Sequence, residues 1–240
     1  MISVDLYLLK PENISADQLA LLPDALSPTE RQQWQEIHHP GRRQEFLLSR
    51  VLLRRLLADR LQCQASELLF CTNPHGKPEL SDQRWQFNLS HSGDWLVIAL
   101  CAKGPLGVDV ELGQRRRQTL PLARRFYATS EYEWLAALPA EEQESAFYRL
   151  WSRKEAVLKA QGAGIAAGLD KVRFVPEEGW RLDNRLDSRS YLVLDWHFGS
   201  GWLSLAAPTR QINGYLLDER LKSTPLDPML IHTIFRESAS

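Results

Sequence analysis

The sequence predicts an α+β fold of two similar subdomains related by a pseudo-two-fold axis, each a small antiparallel sheet packed with a long helix. Three observations predict it. Two long amphipathic stretches, Arg42 to Leu61 and Glu142 to about Gln161, lie about 100 residues apart. Each follows a similar helix start, Thr29-Glu30 ahead of Trp34 and Thr129-Ser130-Glu131 ahead of Trp134. Short apolar runs between Gly and Pro breakers supply strands in both halves. Amphipathic helices look alike whatever their origin, so the alternative is two unrelated halves. The expected division is an N-terminal subdomain over 1–105, a C-terminal one over 106–221 with a cluster of acids, and a loosely packed tail over 222–240.

Val4 to Leu9 alternates weakly and ends at Lys10-Pro11, which reads as a first strand. Ser15 to Leu22 is a short helix stopped by Pro23. Ser27-Pro28-Thr29-Glu30 offers a capping hydroxyl, Pro at N1 and Glu at N3, a capping box for a helix running towards Ile37. From Arg42 to Leu61, Phe46, Leu47, Val51, Leu52, Leu56 and Leu61 recur at helical spacing. Asn73 to Pro78 is a tight loop by its Pro and Gly content. Trp85 to Leu89, Leu96 to Cys101 and Leu106 to Leu112 read as strands. After the second long helix, Gly162 is a candidate left-handed C-cap. Further strands are expected at Lys171–Val175, Ser190–Trp196 and Trp202–Ala207.

A net charge of −1 argues against a bulk nucleic-acid binder. Cys63, Cys71 and Cys101 form no CxxC and no even framework, so reduced thiols of a cytoplasmic protein are expected. No window holds 18 consecutive apolar residues, so neither a membrane span nor a signal peptide is expected.

Three segments carry chemistry. In a strand, residues two apart share a face, so Asp109 and Glu111 stand together while Val108 and Val110 face the core. Two like charges this close disfavour each other unless a cation lies between them; the plainer reading is an edge strand facing water. Glu155 and Lys159 share a helix face, either as a surface pair worth about 0.3–0.5 kcal/mol or as part of a metal–phosphate site. Mg²⁺ suits the latter, since it takes a few carboxylates and completes its shell from substrate phosphate; Mn²⁺ is a second candidate. His91, flanked by Ser90, Ser92 and Gly93, is either structural or an anion contact. Lys77 sits on a rigid loop as a phosphate-binding or solvated charge. His38-His39 reads as structural. Arg115-Arg116-Arg117, with Arg124 and Arg125, is a solvated loop or a docking patch for an acidic partner.

Gly107-Val108-Asp109-Val110-Glu111 and Trp151-x-x-Lys154-Glu155-Ala156-x-x-Lys159 resemble two motifs of the phosphopantetheinyl transferases, in the longer, pseudo-dimeric form typified by the activator of surfactin synthetase. Gly76-Lys77-Pro78 and Asn88-Leu89-Ser90-His91-Ser92 match two upstream motifs in order. The resemblance implies transfer of 4′-phosphopantetheine from coenzyme A to a serine of an acyl, peptidyl or aryl carrier protein, in fatty acid, polyketide or nonribosomal peptide biosynthesis. It implies Asp109, Glu111 and Glu155 as magnesium ligands, with Glu155, Lys159 and His91 in catalysis. Lys159 and His91 match contacts to coenzyme A phosphates; Ser90, Lys77 and Pro78 match loops around the nucleotide; Lys154 joins the cofactor set by its motif position. Arg43 and Arg50 are the candidates for the 3′-phosphate of coenzyme A, with Arg42 and Arg54 as competitors. A monomer acting on an acidic apo carrier protein is expected. The rivals are a coenzyme A or nucleotide-binding module without turnover and a Mg²⁺-dependent pyrophosphate hydrolase.

Overall fold

β1 (Val4–Leu9) is buried along its whole length, because it lies inside a sheet with packed layers on both faces. The computed structural model describes residues 2–113, 118–164, 168–175, 179–187 and 189–226. Short helices α1 (Ala16–Leu21) and α2 (Pro28–Glu36) both begin with capping boxes, at Ser15–Gln18 and Ser27–Glu30. The long helix α3 runs Pro40–Leu61, two residues earlier than Arg42, because Pro40 fits the first helical turn and His39 Nδ1 accepts from Arg42 N–H as the cap. The expected structural role of His39 is this cap.

The hairpin β2 (Phe70–Thr72) and β3 (Pro78–Leu80) encloses the predicted loop. β4 (Gln86–Ser92) and β5 (Trp95–Cys101) follow as an antiparallel pair. β4 is longer than Trp85–Leu89, so His91 lies within it. β6 (Gly107–Glu111) then leads to α4 (Thr119–Phe126), α5 (Thr129–Ala137) and α6 (Ala140–Gln161). Sequence reasoning missed α4, whose eight residues include a Pro. Gly162 closes α6 at φ 73°, the left-handed cap expected of it. The remaining strands are β7 (Val172–Val175), β8 (Arg181–Asn184), β9 (Leu192–Phe198), β10 (Gly201–Ala207), β11 (Ile212–Leu217) and β12 (Ser223–Pro225).

A five-stranded sheet has the order β12-β11-β1-β5-β4, and a three-stranded sheet the order β6-β10-β9. This is the α+β class expected, with one addition. β11 pairs in parallel with β1, and β12 adds an edge beyond it. The chain after about residue 211 therefore packs on the N-terminal sheet, and Ser223–Pro225, expected in a loose tail, form strand.

Alternation along β1 divides the core. Tyr7 and Leu9 pack with Leu48, Leu52 and Leu57 of α3. Val4, Leu6 and Leu8 pack with Val108, Val110, Leu203 and Leu205 of the second sheet. On that sheet's far side, α6 contributes Phe147, Leu150, Val157 and Leu158 to a third cluster. The layers run α3, first sheet, second sheet, α6. No described helix is long and apolar enough to cross a membrane.

Candidate active site

The site is set by how closely β6 lies on α6. A Cβ on Gly107 would meet Ala156 O at 2.0 Å and Ala160 N at 2.4 Å, so only glycine permits this approach. Val108 and Val110 point between the sheets, which turns Asp109 towards α6. Asp109 is buried rather than facing water. Its Oδ1 accepts from Lys159 Nζ at 2.7 Å and from Ser90 Oγ at 3.0 Å. Lys159 Nζ also donates to Ser90 Oγ at 3.1 Å. Strand β4 of the first half thus meets strand β6 and helix α6 of the second at Ser90, Asp109 and Lys159.

Glu155 lies one helical turn before Lys159 and is 6% exposed. Burial raises its pKa to about 7; Asp109 and Glu111 push the same way and Lys159 opposes them. Burial also raises Asp109, against the Lys159 ammonium. The field of both strand acids is therefore felt at Glu155. Asp109 Oδ2 and Glu155 Oε1 are buried without a hydrogen-bond partner. Orphaned, hard carboxylate oxygens beside a third carboxylate fit a divalent cation of the Mg²⁺ kind. Among the described residues the side chains are not already disposed as a three-ligand group.

Glu111, at the end of β6, lines a cleft of about 960 Å³. His39, Arg42 and Glu45 of the α3 entrance border it, as do His91 and Ser92 of β4 and Tyr148 of α6. His91 is exposed, and its Nε2 lies 2.6 Å from Glu45 Oε1. Sequence reasoning did not single out Glu45, which carries no local signal; the fold brings it beside His91.

Lys77 sits at the other end of β6. Its Nζ donates to Leu106 O at 3.1 Å, and burial lowers its pKa to about 8. Asn73 fixes the loop: its Oδ1 accepts from His75 N–H and Lys77 N–H, and its Nδ2 donates to Gly162 O at the end of α6. Pro78 opens β3 opposite Thr72. Lys77 and Pro78 are thus held at the joint of the two halves, away from the His91 end.

The structure does not bring every expected residue to the cleft. Arg42 lines it. Arg43 instead stacks on Trp34 at 4.1 Å, and Arg50 lies over Phe46 with its pKa lowered by burial. Arg54 is a buried structural group, bonded to Glu30 and to the carbonyls of Ala65 and Leu68. Lys154, grouped with the cofactor contacts by its motif position, points away into the C-terminal core. Its fully buried ammonium donates to Glu131, Leu169 O and Val172 O, and three bonds exhaust its protons. Arg124 and Arg125 are exposed on the last turn of α4, while Arg115–Arg117 lie outside the described residues.

Residues 105–207 match the family described as the 4′-phosphopantetheinyl transferase superfamily, and residues 13–103 match the 4′-phosphopantetheinyl transferase N-terminal family. A Synechocystis protein, provisionally named a 4′-phosphopantetheinyl transferase, is 36% identical over 78% of this chain and 81% of its own length. The Bacillus subtilis 4′-phosphopantetheinyl transferase Sfp is 35% identical over 60% of this chain and 64% of its own. The Salmonella typhimurium 4′-phosphopantetheinyl transferase AcpT is 36% identical over 64% and 71%.

Proposed function

The chain belongs to the 4′-phosphopantetheinyl transferase superfamily, and on that premise we propose that Asp109, Glu111 and Glu155 hold a magnesium ion against the pyrophosphate of coenzyme A. The enzyme transfers 4′-phosphopantetheine from coenzyme A to a serine of an apo carrier protein, leaving holo carrier protein and 3′,5′-ADP. The reading of the metal site is carried by one observation: Asp109 and Glu155, buried side by side with Lys159, each keep an unpartnered oxygen.

In the reaction the serine Oγ forms a bond to the phosphorus bearing the pantetheine arm. The bond from that phosphorus to the bridging oxygen breaks, and the electron pair leaves with 3′,5′-ADP. Glu155 is the carboxylate that takes the serine proton in this reading; its pKa of about 7 is that of the metal-free site, and a bound cation would lower it. The ion, when bound, neutralises charge that builds on the pyrophosphate oxygens. Lys159 supplies a fixed positive charge beside Asp109, and His91 offers a second contact for phosphate at the cleft. Arg42 is the cleft arginine placed to meet a further phosphate, ahead of Arg43 and Arg50. Lys77 and Pro78 border the nucleotide from the other end of β6.

The N-terminal half, to about residue 105, brings Lys77, Ser90 and His91; the following half brings the acids and Lys159. One chain therefore completes the site, which supports action as a monomer. Exposed Arg124 and Arg125 favour an acidic carrier surface. Three free thiols among the described residues suit the cytoplasm.

The test is mass gain of an apo carrier protein with coenzyme A and Mg²⁺. Asp109→Ala and Glu155→Gln should each slow it at least ~10²-fold, the scale of losing one preorganised electrostatic group. Near-normal gain in both variants rejects the site. Rapid release of free phosphopantetheine without carrier would favour a hydrolase.

A further inference from the structure

The two edges of β6 are satisfied differently. One edge pairs with the backbone of β10, setting Asp109 opposite Ser204 and Glu111 opposite Trp202. The other is the outer edge of the three-stranded sheet, where an unpaired row of backbone groups needs partners. Side chains from the N-terminal half provide them. Val108 N–H donates to Asn88 Oδ1 at 2.8 Å, Val110 N–H to Ser90 Oγ at 3.2 Å, and Leu112 N–H to Ser92 Oγ at 3.1 Å. The Leu106 carbonyl accepts from Lys77 Nζ. Every second residue of β4 from Asn88 to Ser92 meets every second residue from Val108 of β6 to Leu112 just past its end, always 20 positions apart. The two strands therefore run side by side in the same direction, joined by short polar side chains in place of a backbone ladder.

We propose that this side-chain ladder sets the register of β6 against β4, and that Asn88 and Ser92 are positioning residues for the acids. The inference rests on the reading that Asp109 and Glu111 hold the cation. Between Asn88 and Ser92, Ser90 ties register to chemistry. Its Oγ accepts from Val110 N–H and Lys159 and donates to Asp109 Oδ1, which uses one donor and both acceptor sites of a hydroxyl. A slip of one residue would turn Asp109 between the sheets and a valine towards Lys159. Asn88 and Ser92 hold the strand on either side of that contact. Each sits two residues from Ser90, so a slip in either direction would break both flanking bonds.

The test uses Asn88→Ala, Ser92→Ala and Ser92→Thr, the last keeping an acceptor oxygen. Three quantities are measured on the full chain: Mn²⁺ binding by electron paramagnetic resonance with coenzyme A present, metal-free coenzyme A binding by calorimetry, and thermal unfolding. Both alanine variants should weaken Mn²⁺ binding about 10-fold or more, as loss of an outer-shell partner does. In Asn88→Ala, whose side chain does not border the cleft, metal-free coenzyme A binding should stay within about twofold, and Ser92→Thr should recover most of the Mn²⁺ affinity. If Asn88→Ala does not fold, Ser92→Ala, at a half-buried position, decides the matter. A fall in melting temperature with unchanged Mn²⁺ affinity in the folded alanine variants would make the ladder structural only and overturn the proposal. Wild-type protein that binds no Mn²⁺ would overturn the metal reading and this proposal together.

Discussion

Replacing Glu155 by Gln should make the metal-free protein more stable at pH 8 while disabling it. The folded environment holds the Glu155 pKa at about 7 against an ordinary 4.5. That difference corresponds to roughly 3 kcal/mol, at about 1.4 kcal/mol per pH unit. The folded protein binds this proton more tightly than the unfolded chain, so stability falls as pH rises from about 4.5 to about 7, and the loss is complete above that. Glutamine carries no charge and escapes this penalty. Its amide must still sit where Oε1 finds no partner, so a net gain of about 1–3 kcal/mol is expected at pH 8. For a chain of this size that raises the melting temperature by roughly 2–10 °C. At pH 5 the wild-type carboxyl is mostly protonated and the two proteins should melt nearly together. Thermal unfolding in EDTA at pH 5 and pH 8 reads the difference directly. Added Mg²⁺ should then raise the wild-type melting temperature by mass action and leave the variant nearly unchanged. An equal gap at both pH values, or a variant that melts lower at pH 8, would refute the placement of a strained carboxylate at this position.

Lys154→Met should destabilise by about 3–5 kcal/mol, because Glu131 would remain buried and unpaired; urea unfolding measures this, and the folded fraction should still bind coenzyme A. Gly107→Ala drives a methyl into helix backbone and should cost about 3 kcal/mol or more, seen as a collapse of the circular-dichroism melt. Arg42→Ala should raise the KM for coenzyme A about 10-fold by removing a charge-assisted contact, whereas Arg43→Ala should lower the melting temperature and leave that KM within about twofold, since its guanidinium stacks on Trp34. Equal KM values for the two arginine variants would contradict the assignment.

Much of the fold is written locally. Capping boxes at Ser15 and Ser27 and the left-handed Gly162 place helix ends through contacts within a few residues. Helical periodicity marks α3 and α6, and the two-residue period of β6 separates its valines from its acids. What the alternation leaves open is the face opposite the valines. Water and α6 are equally compatible with Asp109 and Glu111, and packing over Gly107 selects α6. The same limit explains the misplacement of Lys154. Its motif spacing relative to Glu155 and Lys159 is plain, but a helix turns about 100° per residue, so one position separates a side chain facing the acids from one facing Glu131. Asn88-x-Ser90-x-Ser92 carries a period-two polar signal, yet it names no partner until β6 lies alongside.

By itself, then, the sequence determined which residue types the site contains, on which elements they ride, and the family to which the chain is akin. Only the tertiary structure decided that Asp109 and Glu155 are buried with spare oxygens, that Glu45 meets His91, that β11 returns to β1, and that Arg42 rather than Arg43 reaches the cleft. The reason is physical. Periodicity and capping depend on neighbours within a helical turn, whereas burial and pairing depend on contacts tens to hundreds of residues apart, which form only when both halves pack.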